Sequence, residues 1–231
     1  MSPRVEIKDF EKEYTEKGSY HHDAIGFKKW FLKVNYELLA EPIKSHEKVL
    51  DLGCGEGEFS KYIPSDNIIG IDNSSTAIKL ATKLAKKGKY IIMDMANLQF
   101  KDNSFDVVTC SLTLFYFGKD EINTVLVEVK RVLKPNGKFI FSYKNLSHPK
   151  IKDYIASLDM TKESSSLDEI EVILRKNNFE IDNCIGTNIV LDFSEVPGDK
   201  LENVYELSRK LAYYLPKESY HVVFYTRINK D

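Results

Sequence analysis

The sequence lacks the features of a secreted or membrane-spanning protein. No stretch approaches the roughly 20 apolar residues that cross a bilayer, and the amino-terminal segment MSPRVEIKDFEKEY is charged and has no apolar signal-peptide core. Only three cysteines occur, Cys54, Cys110 and Cys184, and none is part of a CxxC pair. We therefore expect a cytoplasmic protein with no membrane partner, no disulfide framework and no zinc site.

The sequence also lacks an excess of positive charge. It has 33 Lys and Arg residues against 35 Asp and Glu residues, whereas proteins that bind phosphate backbones are usually basic. Short lysine clusters within residues 28–33 and 83–89 are interpreted as solvated helix faces. The remaining composition, 42% hydrophobic and 29% charged, is that of an ordinary globular protein. We therefore expect no nucleic-acid partner.

Apolar runs alternate with segments of helical periodicity, which predicts an α/β fold with a mostly parallel sheet and helices on both faces. The predicted strands span residues 48–52, 68–71, 90–93, 105–110, 138–143, 179–190 and 218–228, and the predicted helices span 27–39, 74–87, 120–133, 167–177 and 200–215. The KPNG sequence at residues 134–137 predicts a helix-to-strand turn. We expect a single domain over residues 1–231, with a helical cap (1–45), a core (46–144) and a C-terminal part (145–231).

A glycine-rich turn follows the first predicted strand, in the sequence VLDLGCGEG of residues 49–57. Glycines allow positive φ and close approach of a ligand at the carboxyl end of a strand. The spacing D-x-G-x-G-x-G differs from the G-x-G-x-x-G of dinucleotide folds. Asp51 at the start of the turn would repel a pyrophosphate and attract a cationic amino-acid group. A dinucleotide oxidoreductase is therefore the weakest of the alternatives.

Two more carboxylates follow the next two predicted strands. Asp72 can accept hydrogen bonds from both hydroxyls of a ribose, and Asp94 can accept one from the exocyclic amine of an adenine. Together with Asp51, they suit a ligand that is cationic at one end and carries a free ribose and adenine. S-adenosylmethionine (SAM) has these properties.

Residues 49–143 resemble the class I SAM-dependent methyltransferase superfamily. The segments that carry the resemblance are VLDLGCGEG, IIGIDNSSTAIKLA, MDMANLQFKDNSFDVVTCSLTLFYF and EVKRVLKPNGKFIFS. The resemblance implies a Rossmann-like, seven-stranded, mostly parallel sheet with an antiparallel C-terminal strand and an N-terminal helical cap. It also implies SAM as the cofactor, S-adenosylhomocysteine as its product, and a lid insert at about residues 192–216.

The resemblance further implies which residues bind SAM. Besides Asp51, they are the loop glycines, the ribose-binding acid, the adenine contacts and the residue whose backbone faces the methionine portion, namely Gly53, Gly55, Gly57, Asp72, Asn73, Asp94, Met95 and Ser111. Tyr14 and Tyr20 resemble aromatic residues that close over SAM in relatives, with packing within the cap as the alternative. Cys54 is interpreted as a small packing residue rather than a nucleophile.

Methyl transfer from a sulfonium is a displacement with a neutral leaving group, so the protein must mainly align the acceptor with the methyl group. A general base is needed only where the acceptor must lose a proton. The candidate catalytic residues are Tyr14, Tyr116 and His22, with Tyr143 and His148 as further candidates. Many related small-molecule enzymes have a histidine pair where Phe115 and Tyr116 stand here. The run of residues 21–23, His-His-Asp, is interpreted as a solvated helix start rather than a metal site.

We expect methyl transfer to a small organic acceptor, at N or O rather than at C or S. Aromatic side chains in the segments least similar to the family favour an acceptor of this kind, and they are Trp30, Phe31, Phe115, Tyr116, Phe117, Tyr154, Phe193, Tyr205, Tyr213 and Tyr214. A protein or tRNA methyltransferase is an alternative that the charge balance does not favour. A SAM-binding regulatory or partner protein without activity is another. We expect a monomer or a homodimer.

Overall fold

The predicted strands form one seven-stranded sheet in the computed structural model, which describes residues 11, 14–15, 26–146, 148, 165–189 and 200–228. The strands are β1 (Val49–Leu52), β2 (Ile68–Asp72), β3 (Lys89–Ile92), β4 (Phe105–Cys110), β5 (Leu133–Lys144), β6 (Phe179–Asn188) and β7 (His221–Ile228). The helices described are α1 (Gly26–Ala40), α2 (Ser75–Leu84), α3 (Lys119–Val132), α4 (Leu167–Lys176) and α5 (Leu201–Tyr214). Within these residues, no helix is both long and apolar enough to cross a membrane.

The strand order β3-β2-β1-β4-β5-β7-β6 confirms the predicted fold class. Strands β1 to β5 pair in parallel, and β7 runs antiparallel to both of its neighbours, β5 and β6. The five parallel strands therefore end at one edge of the sheet, which we call the carboxyl edge. Because β7 runs in the opposite direction, its first residue, His221, lies at this same edge, opposite Lys144 at the end of β5.

Alternate residues of the central strands face two separate cores. Leu50 of β1 and Val108 of β4 belong to the core that includes the buried faces of α3 and α4. Their neighbours Val49 and Val107 belong to a second core that includes α1. Because successive side chains of a strand point to opposite faces, the apolar runs predicted as buried strands fill both cores.

Polar caps determine where two of the helices begin. Ser74 precedes α2, and its hydroxyl accepts a hydrogen bond from the backbone amide of Ala77 at 3.0 Å. Ser166 precedes α4 and forms a capping box with Glu169, whose own amide donates to the Ser166 hydroxyl at 3.2 Å. Each cap satisfies amides that a helix leaves unpaired at its first turn, which stabilises the helix by about 1 kcal/mol.

The main difference from the predicted elements lies at residues 134–137. They were expected to form a turn before a strand at 138, but β5 begins at Leu133 and contains them. Leu133 pairs with Phe105 and Lys138 pairs with Val107, so the extra residues form an irregularity within the strand. Asn136 has φ +62° there. The Pro-Asn-Gly sequence thus provides the bend, because its backbone preferences suit an irregular strand as well as a turn.

Two helices from the predicted cap and the predicted insert, α1 and α5, pack on the sheet. Leu38 in α1 accepts a hydrogen bond from the hydroxyl of Tyr225 in β7 at 2.9 Å. Helix α5, between β6 and β7 in the chain, packs on β6. The proposed insert is described from residue 200 onward.

Candidate functional site

The glycine-rich turn after β1 adopts a backbone that only glycine tolerates easily. Gly53, Gly55 and Gly57 have φ of +64°, +52° and +75°. A Cβ added at Gly53 would lie 2.7 Å from the side chain of Thr113, which is closer than real contacts allow. The turn is therefore held against the segment that follows β4, and its shape depends on the absence of side chains.

Asp51 is a buried carboxylate just before this turn, with 2% of its surface exposed. The hydroxyl of Thr109 donates a hydrogen bond to Asp51 Oδ1 at 2.9 Å. Burial, together with the negative charge of Asp72, raises the pKa of Asp51 to about 7, against the opposing effect of the Thr109 hydrogen bond. No cation of the described residues forms an ion pair with Asp51. A cationic ligand at this position would supply the missing opposite charge.

Asp72 ends β2 and connects the glycine turn to α2. Its Oδ2 accepts a hydrogen bond from the amide of Gly55 at 3.0 Å, and its Oδ1 accepts one from the amide of Ser74 at 2.9 Å. Burial raises the pKa of Asp72, and these backbone hydrogen bonds oppose the rise. Each carboxylate oxygen retains a second lone pair that can accept from a ligand hydroxyl.

The three residues expected at an adenine lie beside Asp72. The amide of Met93 donates to the backbone carbonyl of Asp72 at 3.0 Å, which brings the ends of β2 and β3 together. Asn73 and Asp94 are exposed at these strand ends, and Met95 is buried. Asp94 Oδ1 accepts a hydrogen bond from a backbone amide two residues later, at 2.9 Å. The polar side chains of Asn73 and Asp94 are therefore accessible at the strand ends, and the apolar side chain of Met95 is buried next to them.

Glu11, from the chain before α1, also reaches the first turn of α2. Its carboxylate accepts hydrogen bonds from the hydroxyls of Ser74, Ser75 and Thr76 at 2.6, 3.0 and 2.7 Å. These bonds, that from Ser74 first, lower the pKa of Glu11 to about 2. An ionised carboxylate at a helix amino terminus is stabilised by the unpaired amides there.

Tyr14, three residues later, lies against the glycine turn. A Cβ added at Gly55 would lie 2.6 Å from its hydroxyl oxygen. The side chain of Tyr14 is partly buried. The structure thus brings together Tyr14, Gly55 and Asp72, three residues that the sequence predicted to share a site.

The segment after β4 is held by hydrogen bonds from distant parts of the chain. Asn35 of α1 is fully buried and donates through Nδ2 to the hydroxyl of Ser111 at 3.0 Å. Leu112 has φ +52°, a strained value for leucine, and its amide donates to the hydroxyl of Ser142 at 2.8 Å. Thr113 Oγ1 donates to the Ser111 carbonyl at 2.9 Å. Strained backbone of this kind is frequently found at binding sites.

An aromatic cluster forms around His221 at the carboxyl edge. The imidazole centroid lies 4.6 Å from the ring centroid of Phe31 and 6.4 Å from that of Phe115. Lys144 Nζ lies 5.9 Å from the centroid of Phe115. Burial, together with the positive charge of Lys144, lowers the pKa of His221 to about 3. The imidazole is therefore neutral at physiological pH.

The comparison with known protein families agrees with the interpretation of the glycine turn as part of a methyltransferase domain. The model of a methyltransferase domain matches residues 50–141, which contain the turn, Asp51, Asp72 and all of β2 to β4. Residues 50–141 are thus similar to the class I SAM-dependent methyltransferase superfamily, whose cofactor is SAM.

Curated relatives cover different shares of this chain. An uncharacterised protein of Methanocaldococcus jannaschii is 28% identical over 207 residues, 77% of this chain and 79% of that protein. The demethylmenaquinone methyltransferase of Thermotoga maritima is 37% identical over 116 residues, 48% of each chain. The sterol 24-C-methyltransferase of Aspergillus fumigatus is 35% identical over 107 residues, 42% of this chain and 28% of that enzyme. The chain thus matches less than half the length of these two named enzymes.

Solved structures share the fold over nearly the whole chain. A SAM-dependent methyltransferase from Thermotoga maritima, described as a possible histamine N-methyltransferase, superposes with a TM-score of 0.66 at 19% identity, covering 94% of this chain and 97% of that one. The PH0226 protein from Pyrococcus horikoshii superposes with a TM-score of 0.66 at 21% identity, covering 95% and 99%. At sequence identities of 19% and 21%, these superpositions show that the fold is shared.

The residues at the glycine turn fit SAM. Asp51 is a buried carboxylate that lacks a cationic partner among the described residues, and the amino group of SAM is a cation. Asp72 has two carboxylate oxygens that can accept further hydrogen bonds, such as those from the hydroxyls of a ribose. When bound, SAM supplies an electrophilic methyl group and leaves as a neutral thioether.

Two of the predicted site residues, Tyr20 and His22, lie outside the described residues, as does the whole run 21–23. Tyr116 is described, and its ring centroid lies 4.4 Å from that of Phe115. Other aromatic residues expected near the acceptor serve different contacts: Trp30 stacks on Tyr205 at 4.8 Å, while the expected Tyr154 and Phe193 are not among the described residues.

Three residues near this site were not predicted from the sequence. Glu11 carries no motif, and its contacts span more than 60 residues of chain. Asn35 is a polar residue within the apolar stripe of a helix, which is a signal that could have been used. His221 opens the last strand, and only the antiparallel direction of β7 places it at the carboxyl edge.

Proposed function

We propose that this methyltransferase transfers the methyl group of SAM to an oxygen or nitrogen atom of a small organic acceptor. The observation that carries the proposal is the aromatic cluster at the carboxyl edge, beside the segment that follows β4. Phe31 and Tyr116 are partly buried rings there, Phe115 is a buried ring beside them, and His221 is a neutral polar group. Such a mixture of rings and few polar groups is typical of small-molecule pockets.

The proposed cofactor site uses the residues that the sequence predicted. The glycine turn, Asp51 and Ser111 would hold the amino-acid portion of SAM, with the hydroxyl of Ser111 fixed by Asn35. Asp72 would bind the ribose, and Asn73, Asp94 and Met95 would surround the adenine. Tyr14, with its hydroxyl next to Gly55, would cover the cofactor, as we propose also for Tyr20.

We propose Tyr116 as the catalytic candidate closest to the acceptor, since its ring contacts Phe115 within the aromatic cluster. Tyr14 and His22 remain candidates from the amino-terminal segment. Two relatives are named for small organic acceptors, a demethylmenaquinone and a sterol. The sterol enzyme's name specifies carbon, so transfer to carbon is an alternative that the experiment below distinguishes.

The active unit that we propose is a cytoplasmic monomer or homodimer. The three cysteines are free thiols, and Cys54 and Cys110 are buried, as suits a reducing compartment. Burial raises the pKa of the Cys54 thiol well above its ordinary value, so it is a poor nucleophile. This supports a packing role for Cys54 within the glycine turn.

The proposal is tested with SAM carrying a radiolabelled methyl group. The purified protein is incubated with this SAM and with a cell extract that has been separated into a low-molecular-mass ultrafiltrate and a macromolecular fraction. We expect label in the ultrafiltrate, and product analysis by mass spectrometry identifies the methylated atom. The Asp72→Ala variant, which loses the carboxylate that holds Gly55 and Ser74, is the inactive control.

Other distributions of label would contradict the proposal. Label in protein or tRNA would indicate a macromolecular acceptor instead. SAM binding in calorimetry without transfer to either fraction would favour a regulatory or partner protein that binds SAM.

A further inference from the structure

Buried polar atoms without a hydrogen-bond partner gather at the carboxyl edge. Among the described residues they include Asn35 Oδ1, His148 Nδ1 and His221 Nδ1. Such atoms are rare in folded proteins, and each one costs free energy. A shared location at the end of β5 and the start of β7 calls for a common physical explanation.

Contacts place two of these residues close to the start of β7. The ring of His148, just after β5, lies 4.1 Å from that of Tyr220. His221 follows Tyr220 directly in the chain and lies opposite Lys144 at the end of β5. A ligand with hydrogen-bonding groups would satisfy the unpartnered atoms.

His221 is the member of this set with the most defined surroundings. Phe31 and Phe115 contact its ring from two different elements, α1 and the turn after β4. Its Nδ1 is inaccessible to solvent, while the side chain as a whole is only partly buried. The imidazole is therefore fixed in position by rings, and one of its nitrogens lacks a partner.

The same turn connects His221 to the cofactor site. Thr113 contacts Gly53, and its hydroxyl donates to the carbonyl of Ser111. Two residues further on, Phe115 contacts the imidazole. The single segment of residues 111–115 thus contacts both the glycine turn and His221.

We propose that His221 binds the methyl acceptor by accepting a hydrogen bond from the hydroxyl that becomes methylated, with Phe31 and Phe115 selecting an aromatic ring. This inference rests on the proposed function and deepens it by naming the acceptor as an aromatic alcohol. A protonated amine would lie beside the positive charges of Lys144 and of the sulfonium, and a neutral hydroxyl avoids that repulsion.

The step is balanced in atoms and charge. The acceptor oxygen forms a bond to the methyl carbon as its proton passes to the imidazole, while the S–C bond breaks and its electron pair remains on sulfur. Positive charge passes from the sulfonium to His221 only for the duration of this step, because a pKa of about 3 beside Lys144 makes the imidazolium a strong acid. The imidazolium then releases its proton to solvent.

The test uses His221→Phe, which keeps a ring between Phe31 and Phe115 but removes both nitrogens. We expect label transfer to the ultrafiltrate to fall by roughly 100-fold or more. SAM affinity in calorimetry should stay unchanged, and the melting temperature should stay level or rise, because an unpartnered polar atom has been removed. His46→Phe, at an exposed histidine before β1, is the matched control and should transfer label at the wild-type rate.

A second measurement does not depend on activity. The protein, labelled with 15N-histidine and saturated with S-adenosylhomocysteine, is titrated with phenol as a hydroxyl-bearing probe. The ring resonances of His221, assigned by their absence in His221→Phe, should shift, and those of His46 should not.

The outcomes separate the two proposals. Wild-type transfer by His221→Phe would overturn the role of His221, as would loss of SAM affinity together with activity. If the wild-type protein labels no small molecule, the proposed function fails, and the phenol titration alone decides on His221. Shifted resonances would then support an aromatic-alcohol site, and unmoved resonances would overturn it.

Discussion

The cofactor end and the acceptor end of the carboxyl edge are built in different ways. At the cofactor end, Asp51, the glycine turn and Asp72 lie close together in sequence, and the carboxylate of Asp72 bonds backbone amides. At the acceptor end, Asn35 and His221 come from distant helices and strands, and each retains an unpartnered atom. The proposed cofactor site is thus encoded in one local turn, while the proposed acceptor site depends on how distant elements pack.

A substitution in the glycine turn should have the largest effect, and it should be confined to the cofactor end. In Gly53→Ala, a residue at φ +64° gains a Cβ that would lie 2.7 Å from Thr113. The left-handed conformation alone costs roughly 1–2 kcal/mol. We expect a lower melting temperature and SAM affinity reduced by about 10- to 100-fold in calorimetry, since the turn must move.

Gly26→Ala is the matched control for this prediction. Gly26 also has positive φ, +56°, but a Cβ added there meets nothing within 4 Å. It should lose stability through backbone strain and keep its SAM affinity. Equal SAM affinity in both variants would show that the turn after β1 does not bind the cofactor.

The same contrast explains which parts of the molecule the sequence could predict. Buried strands such as β1 and β4 are continuous apolar runs, so their type and order followed from the pattern. Asp51 and Asp72 were predicted as site residues because each stands at the end of such a strand. In contrast, the strand position of residues 134–137 could not be predicted, because Pro, Asn and Gly favour a bulge and a turn alike.

The acceptor end could be predicted less well, for a topological reason. His221 reaches the carboxyl edge because β7 inserts antiparallel between β5 and β6, and strand order is not a local property of the sequence. Asn35 contacts Ser111 across 76 residues of chain. Both contacts depend on the packed sheet, so periodicity and motifs do not contain them.

A smaller effect is expected from pH, again at the cofactor end. The pKa of Asp51 is raised to about 7, so the carboxyl is largely protonated below pH 7 in the free protein. A bound ammonium group favours the ionised form, so binding SAM releases a proton below pH 7. SAM affinity should rise by up to about tenfold per pH unit toward pH 7 and level off above it.

Stability without SAM should change in the opposite direction. The folded pKa of Asp51 lies above its unfolded value of 3.8, so the folded protein binds more protons and loses stability as pH rises from about 4 to 7. Asp72 has a raised pKa and contributes in the same direction. Asp51→Asn should therefore weaken the pH dependence of SAM affinity and the pH dependence of stability. Some dependence of stability on pH should remain, because Asp72 still titrates. If the SAM affinity and the stability of Asp51→Asn depend on pH as those of the wild-type protein do, Asp51 is not the group that causes this pH dependence.

The smallest effect should come from Glu11, which extends the cofactor end to the amino-terminal segment. Glu11→Gln keeps one accepting oxygen, for either Ser74 or Thr76, and removes the negative charge from the start of α2. We expect SAM to dissociate about two- to fivefold faster in stopped-flow measurements. The melting temperature should barely change, because the carboxylate is exposed to solvent.

Two properties distinguish this contact from a general loss of structure. The pKa of Glu11 is about 2, so its charge is constant over the working range and the effect of Glu11→Gln should not vary between pH 5 and 9. Salt screens exposed charges, so the difference between variant and wild type should shrink as ionic strength rises. Glu202→Gln, at an exposed position in α5, is the control and should leave dissociation unchanged. Should Glu11→Gln release SAM at the wild-type rate at low salt, the amino-terminal segment would not retain the cofactor through this carboxylate, and the cofactor end would be limited to residues 49–113.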